Sequence, residues 1–341
     1  MALEDKQQML AQKEYIMKKT ISGIMCGIIA TGLLAGCVNV SESNPSEKKI
    51  HTAAKPDQTV LQERLYKAIK GNDLKTVKKL VAQGADITFA DDFTGQNALH
   101  HAACFHSMDV FQWLLDQGME IHTIDKFGNT VLHLLFDLSG AGYYGKNMDT
   151  GEFYCSHKTK SKPETILKMV KYLTDRKVNI NAKNQHGMTP VRLAVCFGYL
   201  EIVKYLVEHG TNIKGTLHLA AKTAQYEMVK YLVEHGADVN EFDGEVLADA
   251  SGIAVVRYLV EHGAKINIQD EWGRSPLHWH AERKNLETIK YLVEHGVDLN
   301  LRDKEGRTPL DLAEMHKHQE IAKYLKDHGA VSGKSLNCKE K

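Results

Sequence analysis

The sequence predicts an all-α solenoid of short stacked helix pairs, and three observations predict it. The first is a repeat. From residue 60 onward the block Tyr-Leu-Val-Glu-His-Gly recurs at Tyr205–Gly210, Tyr231–Gly236, Tyr258–Gly263 and Tyr291–Gly296, with a variant at Tyr324–Gly329. The marker glycines Gly84, Gly118, Gly210, Gly236, Gly263, Gly296 and Gly329 are spaced by 34, 92, 26, 27, 33 and 33 residues, a period that signals stacked supersecondary units. The second is helix-start chemistry: Thr189 and Thr308 each precede a proline, an N-cap followed by Pro at N1, where its missing N–H costs nothing. The third is apolar spacing. In Glu201–Val207 the apolar residues Ile202, Val203, Leu206 and Val207 form one helical stripe, and the glycine that follows supplies a left-handed helix end. One such pair cannot bury its apolar faces alone, but stacked neighbours can.

In chain order, residues 60–91 open with charged residues and lack the helix-start quartet, as a terminal cap requires. The quartets follow at Asn97–His100, Thr130–His133, Thr189–Arg192, Gly215–His218, Ser275–His278 and Thr308–Asp311. Inside the 92-residue gap Lys177 takes the glycine place, which leaves an extra stretch, about 138–163, rich in Gly and Tyr and without helical period. Loops beyond about 12–15 residues are usually functional or disordered. Only six residues separate Gly210 from Leu217, against thirteen between Gly263 and Leu277. Repeat five therefore has no room for a projecting finger, and repeat six has a shortened one. The row of fingers is expected to split there, with a weaker junction around 211–250. The last repeat turns polar at Lys317–Lys323, and a loose tail is expected over 332–341.

The quartets, together with Gly236-Ala237-Asp238-Val239-Asn240, resemble the TPLH and GADVN signatures of ankyrin repeats across residues 60–331, about eight copies. The resemblance implies an ankyrin-repeat solenoid: antiparallel helix pairs with short β-hairpin fingers, and a protein partner met by finger tips and by the exposed side of each first helix. Matched onto those positions, the tips are Lys126-Phe127, Gln185-His186, Glu271-Trp272 and Lys304-Glu305. The first-helix candidates are Phe105, Phe197, Arg283 and His316, beside Cys104, Cys196, Glu282 and Met315. Aromatics and arginine dominate interface hot spots.

The front of the chain carries a different signal. Lys18 and Lys19 lead an uncharged stretch, Thr20–Gly36, that ends in Leu34-Ala35-Gly36-Cys37. A basic start, an apolar segment and small residues at its end read as a secretory signal. The last four residues are similar to the lipobox of bacterial lipoproteins, a resemblance that implies cleavage before Cys37 and its acylation. Residues 1–36 are then the signal peptide, with Met17 as the expected start because residues 1–16 mix both charge signs. Residues 37–59 become an acylated cysteine and a polar tether of roughly 25–30 Å coil length. Val38, a residue other than aspartate after the cysteine, resembles the outer-membrane sorting class. The expected address is the bacterial cell envelope, lipid-anchored, facing the periplasm.

Composition narrows the rest. Of 341 residues, 43 are Lys or Arg and 43 are Asp or Glu, so the net charge is zero, which argues against nucleic acid as a partner. Six cysteines are too few for a disulfide scaffold. Eighteen histidines are many, yet they fall in repeat slots. His209, His235, His262, His295 and His328 close helices, and His100, His133, His218 and His278 open them. Equivalent sites on stacked helices lie about 8–10 Å apart, too far to share a zinc ion with ligands at about 2.0–2.1 Å. Their expected roles are helix-start hydrogen bonds and partners for the C-terminal dipole. No phosphate loop, nucleophile elbow or HExxH motif is present, so neither enzyme activity, cofactor, metal nor small-molecule substrate is expected. The reading is a lipid-anchored protein–protein interaction module. Two alternatives stand beside it: an ankyrin effector delivered to a host, and a metal-dependent hydrolase built from the 138–163 insertion with a histidine pair.

Overall fold

The structure, a computed structural model, describes residues 58–136, 145–146, 153–154 and 162–336, all inside the unit Pro56–Lys341. The signal peptide, Cys37, most of the tether, most of the 138–163 insertion and residues 337–341 lie outside the described residues.

Among the described residues of that unit eight helix pairs follow one another. They are α1 (Gln58–Lys70) with α2 (Leu74–Ala82), α3 (Ala98–Cys104) with α4 (Met108–Asp116), and α5 (Val131–Leu134) with α6 (Pro163–Asp175). Next come α7 (Pro190–Cys196) with α8 (Leu200–Glu208), α9 (Thr216–Lys222) with α10 (Tyr226–Glu234), and α11 (Glu245–Ala248) with α12 (Ile253–Glu261). The last two are α13 (Pro276–Glu282) with α14 (Leu286–Glu294), and α15 (Pro309–Met315) with α16 (Gln319–Asp327), before a short α17 (Gly333–Leu336). Each first helix packs on the first helix of the next pair, and second helices do likewise. Among the described residues no helix is long and apolar enough to cross a membrane.

The stacking follows from the stripe. In α8 the buried residues are Ile202, Val203 and Leu206, and in α10 they are Met228, Val229 and Leu232. These side chains join one apolar core that runs from Leu61 to Ala330. At about 1.5–3 kcal/mol for each fully buried aliphatic side chain, neighbouring pairs supply what a lone pair of nine-residue helices lacks.

Helix ends are set by a Tyr–His device written into the repeat. His209 Nδ1 donates to the Tyr205 carbonyl at 2.7 Å while the two rings lie 4.0 Å apart. The pairs His235–Tyr231, His262–Tyr258, His295–Tyr291 and His328–Tyr324 repeat this at 2.7–2.8 Å. A carbonyl of the last helical turn, where backbone partners run short, gains the ring as a partner, in the first four pairs beside the histidine's own N–H at 3.1–3.2 Å. The glycine after each histidine has positive φ, and Lys177, at φ 56°, adopts the same conformation in the place of a glycine.

Two expectations are refined. Among the described residues the fingers are tight turns in place of the short β-hairpins expected, with one isolated bridge joining Ile124 to Thr130. The paired strands among the described residues, β1 (Gly145–Lys146) and β2 (Phe153–Tyr154), lie in the insertion and run antiparallel. The tail from Ser332 is docked at its start rather than loose, because Asp311 occupies the quartet's histidine slot. Its carboxylate accepts from Ser332 Oγ at 2.6 Å and from the Gly333 N–H at 2.8 Å.

Candidate partner-binding face

Each finger is closed by its leading Asp or Asn. Asp125 Oδ1 accepts from the N–H groups of Phe127 and Asn129 at 2.9 and 2.8 Å. Asn184 does the same for His186 and Met188, Asp270 for Trp272 and Arg274, and Asp303 for Glu305 and Arg307. Side chains that hydrogen-bond their own backbone two to four residues on make such turns rigid. Gly273 shows why glycine stands at the bend: its φ is +74°, and an added Cβ would lie 3.1 Å from the Lys304 nitrogen of the next finger.

The tips are stitched to one another. Lys126 N–H donates to the Thr94 carbonyl at 2.8 Å, and Gln185 N–H to the Phe127 carbonyl at 2.9 Å. Further along, Lys304 N–H donates to the Trp272 carbonyl at 3.0 Å. The structure thus brings together Lys126, Phe127, Gln185 and His186 in one set, and Glu271, Trp272, Lys304 and Glu305 in another. Lys126, Gln185, His186, Glu271, Lys304 and Glu305 are exposed, and Phe127 is half-buried against Phe93, ring centres 6.4 Å apart. Trp272 is 48% exposed and meets Trp279 edge-on at 6.3 Å. Trp279 is itself fixed, its Nε1 donating to Asp270 at 2.9 Å and its face covered by the Arg274 and Arg283 guanidinium groups.

The first-helix candidates divide. Phe105 is half-buried, packed edge-on against Tyr66 at 5.4 Å beneath the Lys70 ammonium. Phe197 is half-buried against Tyr199. Arg283 is exposed at its rim but tied by a 2.6 Å ion pair to Asp249 and a bond to the Ala248 carbonyl. His316 is exposed, 3.6 Å from Glu282 and stacked over His318.

Between the two finger sets, repeats five and six depart from the pattern. His133 and His278 each take their N-cap residue's N–H on Nδ1 and reach a carbonyl of the next repeat through Nε2, Met188 O and Arg307 O respectively, both at 3.1 Å. Burial pushes His133, like His100, down to about 4, so both rings stay neutral at pH 7. His218 does not follow them, because its N-cap is Gly215, which has no side chain to share. Its Nε2 instead meets Asp249 Oδ2 at 2.9 Å. Asp249 also faces Arg283 at 2.6 Å and Lys222 at 3.5 Å. Although burial opposes it, the bond from His218 and these two cations hold the Asp249 carboxyl far below the usual carboxylate range.

Sequence reasoning missed this hub and the exposed Phe89 and Phe93, 54% and 50% accessible, beside the first finger. Phe93 stands in Asp92-Phe93-Thr94-Gly95, which itself matches the Asp-x-x-Gly turn of other fingers, so that pattern would have found it, although the carboxylate that closes this turn is Asp91, which accepts from the Phe93 and Thr94 N–H groups. The hub had no signal, since its members lie in three repeats. Among the described residues no three His, Cys, Asp or Glu side chains gather as a metal site would require. Most of the 138–163 insertion, on which the hydrolase alternative rests, lies outside the described residues.

Rigid turns presenting varied side chains from a stacked scaffold define a recognition module. The family model for ankyrin repeats matches in three copies, over residues 65–138, 162–243 and 246–336, well over half of the chain. The chain belongs to the ankyrin-repeat family. It is 27% identical over 159 residues to a putative ankyrin repeat protein of Rickettsia bellii, covering 46% of this chain and 73% of that one. It is 30% identical over 173 residues to a putative ankyrin repeat protein of fowlpox virus, covering 47% and 51%. A match to the Notch protein of Drosophila melanogaster, 28% identical, covers 41% of this chain but 4% of Notch. The chain thus spans about three quarters, half and 4% of the lengths of these three curated relatives. Among solved structures, the human ASB11 ankyrin repeat domain is similar at 21% identity and TM-score 0.45, covering 78% of this chain and 98% of that one. Ankyrin repeats are protein–protein interaction modules, and they imply a protein partner.

Proposed function

We propose that this chain is a lipid-anchored ankyrin module of a bacterial cell envelope, without a reaction of its own, which holds a partner protein against its fingers and first helices. The observation that carries the binding face is two aromatic groups at the fingers, exposed Phe93 against half-buried Phe127 and exposed Trp272 against half-buried Trp279 of α13. Their backbones are locked while their rings remain outside the apolar core. Large aromatics held rigid at solvent lose little entropy when a partner covers them. Trp272→Ala and Phe127→Ala are expected to keep the helical circular-dichroism spectrum of the parent and to weaken partner crosslinking in native envelopes about tenfold or more. Loss of helicity in either variant would make that residue part of the core instead.

The anchor rests on Leu34–Cys37, with translation from Met17. Several acyl chains on Cys37 would bury far more than the single chain that gives marginal binding, at about 0.8 kcal/mol per CH₂. The Cys37→Ser precursor is expected to stay unprocessed and to incorporate no labelled fatty acid in the producing bacterium. Labelling equal to the parent would remove Cys37 from its role. With Val38 after the cysteine as its support, the address in this reading is the outer membrane, and the face the periplasmic one. Relatives in Rickettsia and fowlpox virus are compatible with the effector alternative, which a cleaved, unacylated form in the medium would favour.

A further inference from the structure

The place where repeat five lacks its finger is a walled notch with an unusual lining. A cavity of about 250 Å³ opens there, between the finger of repeat four and the short 3₁₀ turn Glu241–Gly244 of repeat six. Among the described side chains its lining includes Lys183, Arg192, Lys214 and Phe242, and no carboxylate. The nearby Glu241 carboxylate is already engaged by the Gly215 N–H at 2.9 and 3.0 Å.

Arg192 explains how the notch arises. It occupies the quartet slot from which His133 and His278 reach a finger carbonyl of the next repeat. For repeat four the next repeat offers no finger. An arginine stands in the slot, its Nη1 donating to the Gly187 carbonyl at 3.3 Å, while its Nε is buried with no hydrogen-bond partner among the described residues. A buried guanidinium donor left without an acceptor is costly, and a carboxylate is the partner its planar fork fits best. Phe242 forms the opposite wall. Its backbone sits at φ 56°, a region that bulky residues rarely adopt, and its ring tip lies 3.5 Å from the position of a Cβ added at Gly215.

We infer that this notch receives an acidic segment of the protein partner, whose Asp or Glu side chain enters where the fifth finger would stand and pairs with Arg192 between Lys183 and Lys214. The inference rests on the proposed binding face and deepens it, for it gives the partner a chemistry: a carboxylate-bearing loop seated between the two aromatic finger groups. Complementary charge of this kind fixes register and speeds encounter.

The probe is a fluorescein-labelled hexaglutamate peptide, with hexaglutamine as its neutral counterpart, read by fluorescence anisotropy on the detergent-solubilised full chain. Hexaglutamate is expected to bind with an affinity that falls as salt rises, and hexaglutamine not to bind. The exposed pair Lys183→Glu with Lys214→Glu is expected to weaken the peptide about tenfold, and Arg192→Leu to weaken it further. Arg192→Lys retains the charge and is expected to recover part of the affinity, which separates pairing from a folding defect. Equal binding of both peptides, no effect of the double charge reversal, or displacement by inorganic phosphate as effective as by free hexaglutamate would overturn the inference. The finger-face reading has its own readout: crosslinking that survives the notch variants but falls with Trp272→Ala removes the notch alone, whereas crosslinking indifferent to Trp272 and Phe127 removes the face.

Discussion

Acidification from pH 7 to near pH 5 is expected to cost the repeat domain several kcal/mol of stability, before the carboxylates held below their ordinary range titrate. The cause is buried, neutral histidine. His100, His133 and His280 are pushed from 6.5 down to about 4 by burial, and burial lowers His101, His106 and His278 as well. Each binds a proton more weakly in the folded chain than in the unfolded one. The stability they contribute is therefore fully present above pH 6.5 and is lost as the pH falls toward 4. Near pH 5 the first three cost about 2 kcal/mol each, a large part of the 5–15 kcal/mol typical of a domain. Glu245 works the other way, its carboxyl raised by burial, so its protonation offsets a little of the loss. Lowered carboxylates such as Asp303 and Asp311 act at more acid pH, below their ordinary 3.8. Urea midpoints at pH 7 and near pH 5 check this. His133→Gln, which keeps an N–H for Met188 O but cannot titrate, is expected to flatten the slope. Identical midpoints at the two pH values would show that these rings remain hydrated.

How much of this was legible beforehand depends on whether a feature is local. The Tyr-Leu-Val-Glu-His-Gly block states its own structure: a stripe, a stacked ring pair and a left-handed end all lie within six residues. Lys177 could be placed as a glycine surrogate from spacing alone, and its φ of 56° agrees. The helix-opening histidines were readable as caps, but not as the bonds that reach Met188 O or Arg307 O in the next repeat. Those partners lie 55 and 29 residues away. The candidate tips were readable because Asp-x-x-Gly marks the turn. Burial was not: Arg283 and Trp272 look equally available in sequence, yet Arg283 is tied to Asp249 while the Trp272 ring stands half in solvent. Absences were the hardest to interpret. A missing finger can be counted from six residues between Gly210 and Leu217, whereas the charged side chains that replace its contacts come from three separate repeats.

Those replacements carry the second large effect. Asp249→Ala is expected to destabilise the domain by about 2–3 kcal/mol, somewhat below the 3–5 kcal/mol for removing one member of a fully buried ion pair. The discount reflects exposure: the Asp249 side chain is 16% accessible, but Lys222 and Arg283 are 30% and 38% accessible and can turn partly to water. His218 loses its Nε2 partner outright. In a stacked array stability is the sum of repeat and neighbour terms, so the loss falls on the interfaces of repeats five to seven and not on the whole rod. Fingers cannot compensate, because the tip-to-tip bonds stop at Gln185 and resume at Trp272. Other cross-repeat bonds remain there: Asn212 N–H to Asn181 Oδ1 at 2.8 Å, Gly215 N–H to the Glu241 carboxylate at 2.9 and 3.0 Å, Ser251 N–H to Ala221 O at 2.9 Å, Lys265 N–H to Asn240 Oδ1 at 2.8 Å and His280 to Leu247 O at 3.1 Å. Amide exchange in Asp249→Ala should therefore accelerate over residues 216–252 while the α4 and α14 amides keep parental protection, and the unfolding curve should broaden toward two steps. Asp249→Asn retains an acceptor without the charge and should fall between. Coupling between Asp249→Ala and His218→Ala in a double-mutant cycle tests the direct bond, with about 0.5–3 kcal/mol expected for contacting residues. If the cycle closes at zero and the junction amides exchange at the parental rate, the apolar faces of α9, α11 and α13 hold the two finger sets together without the hub.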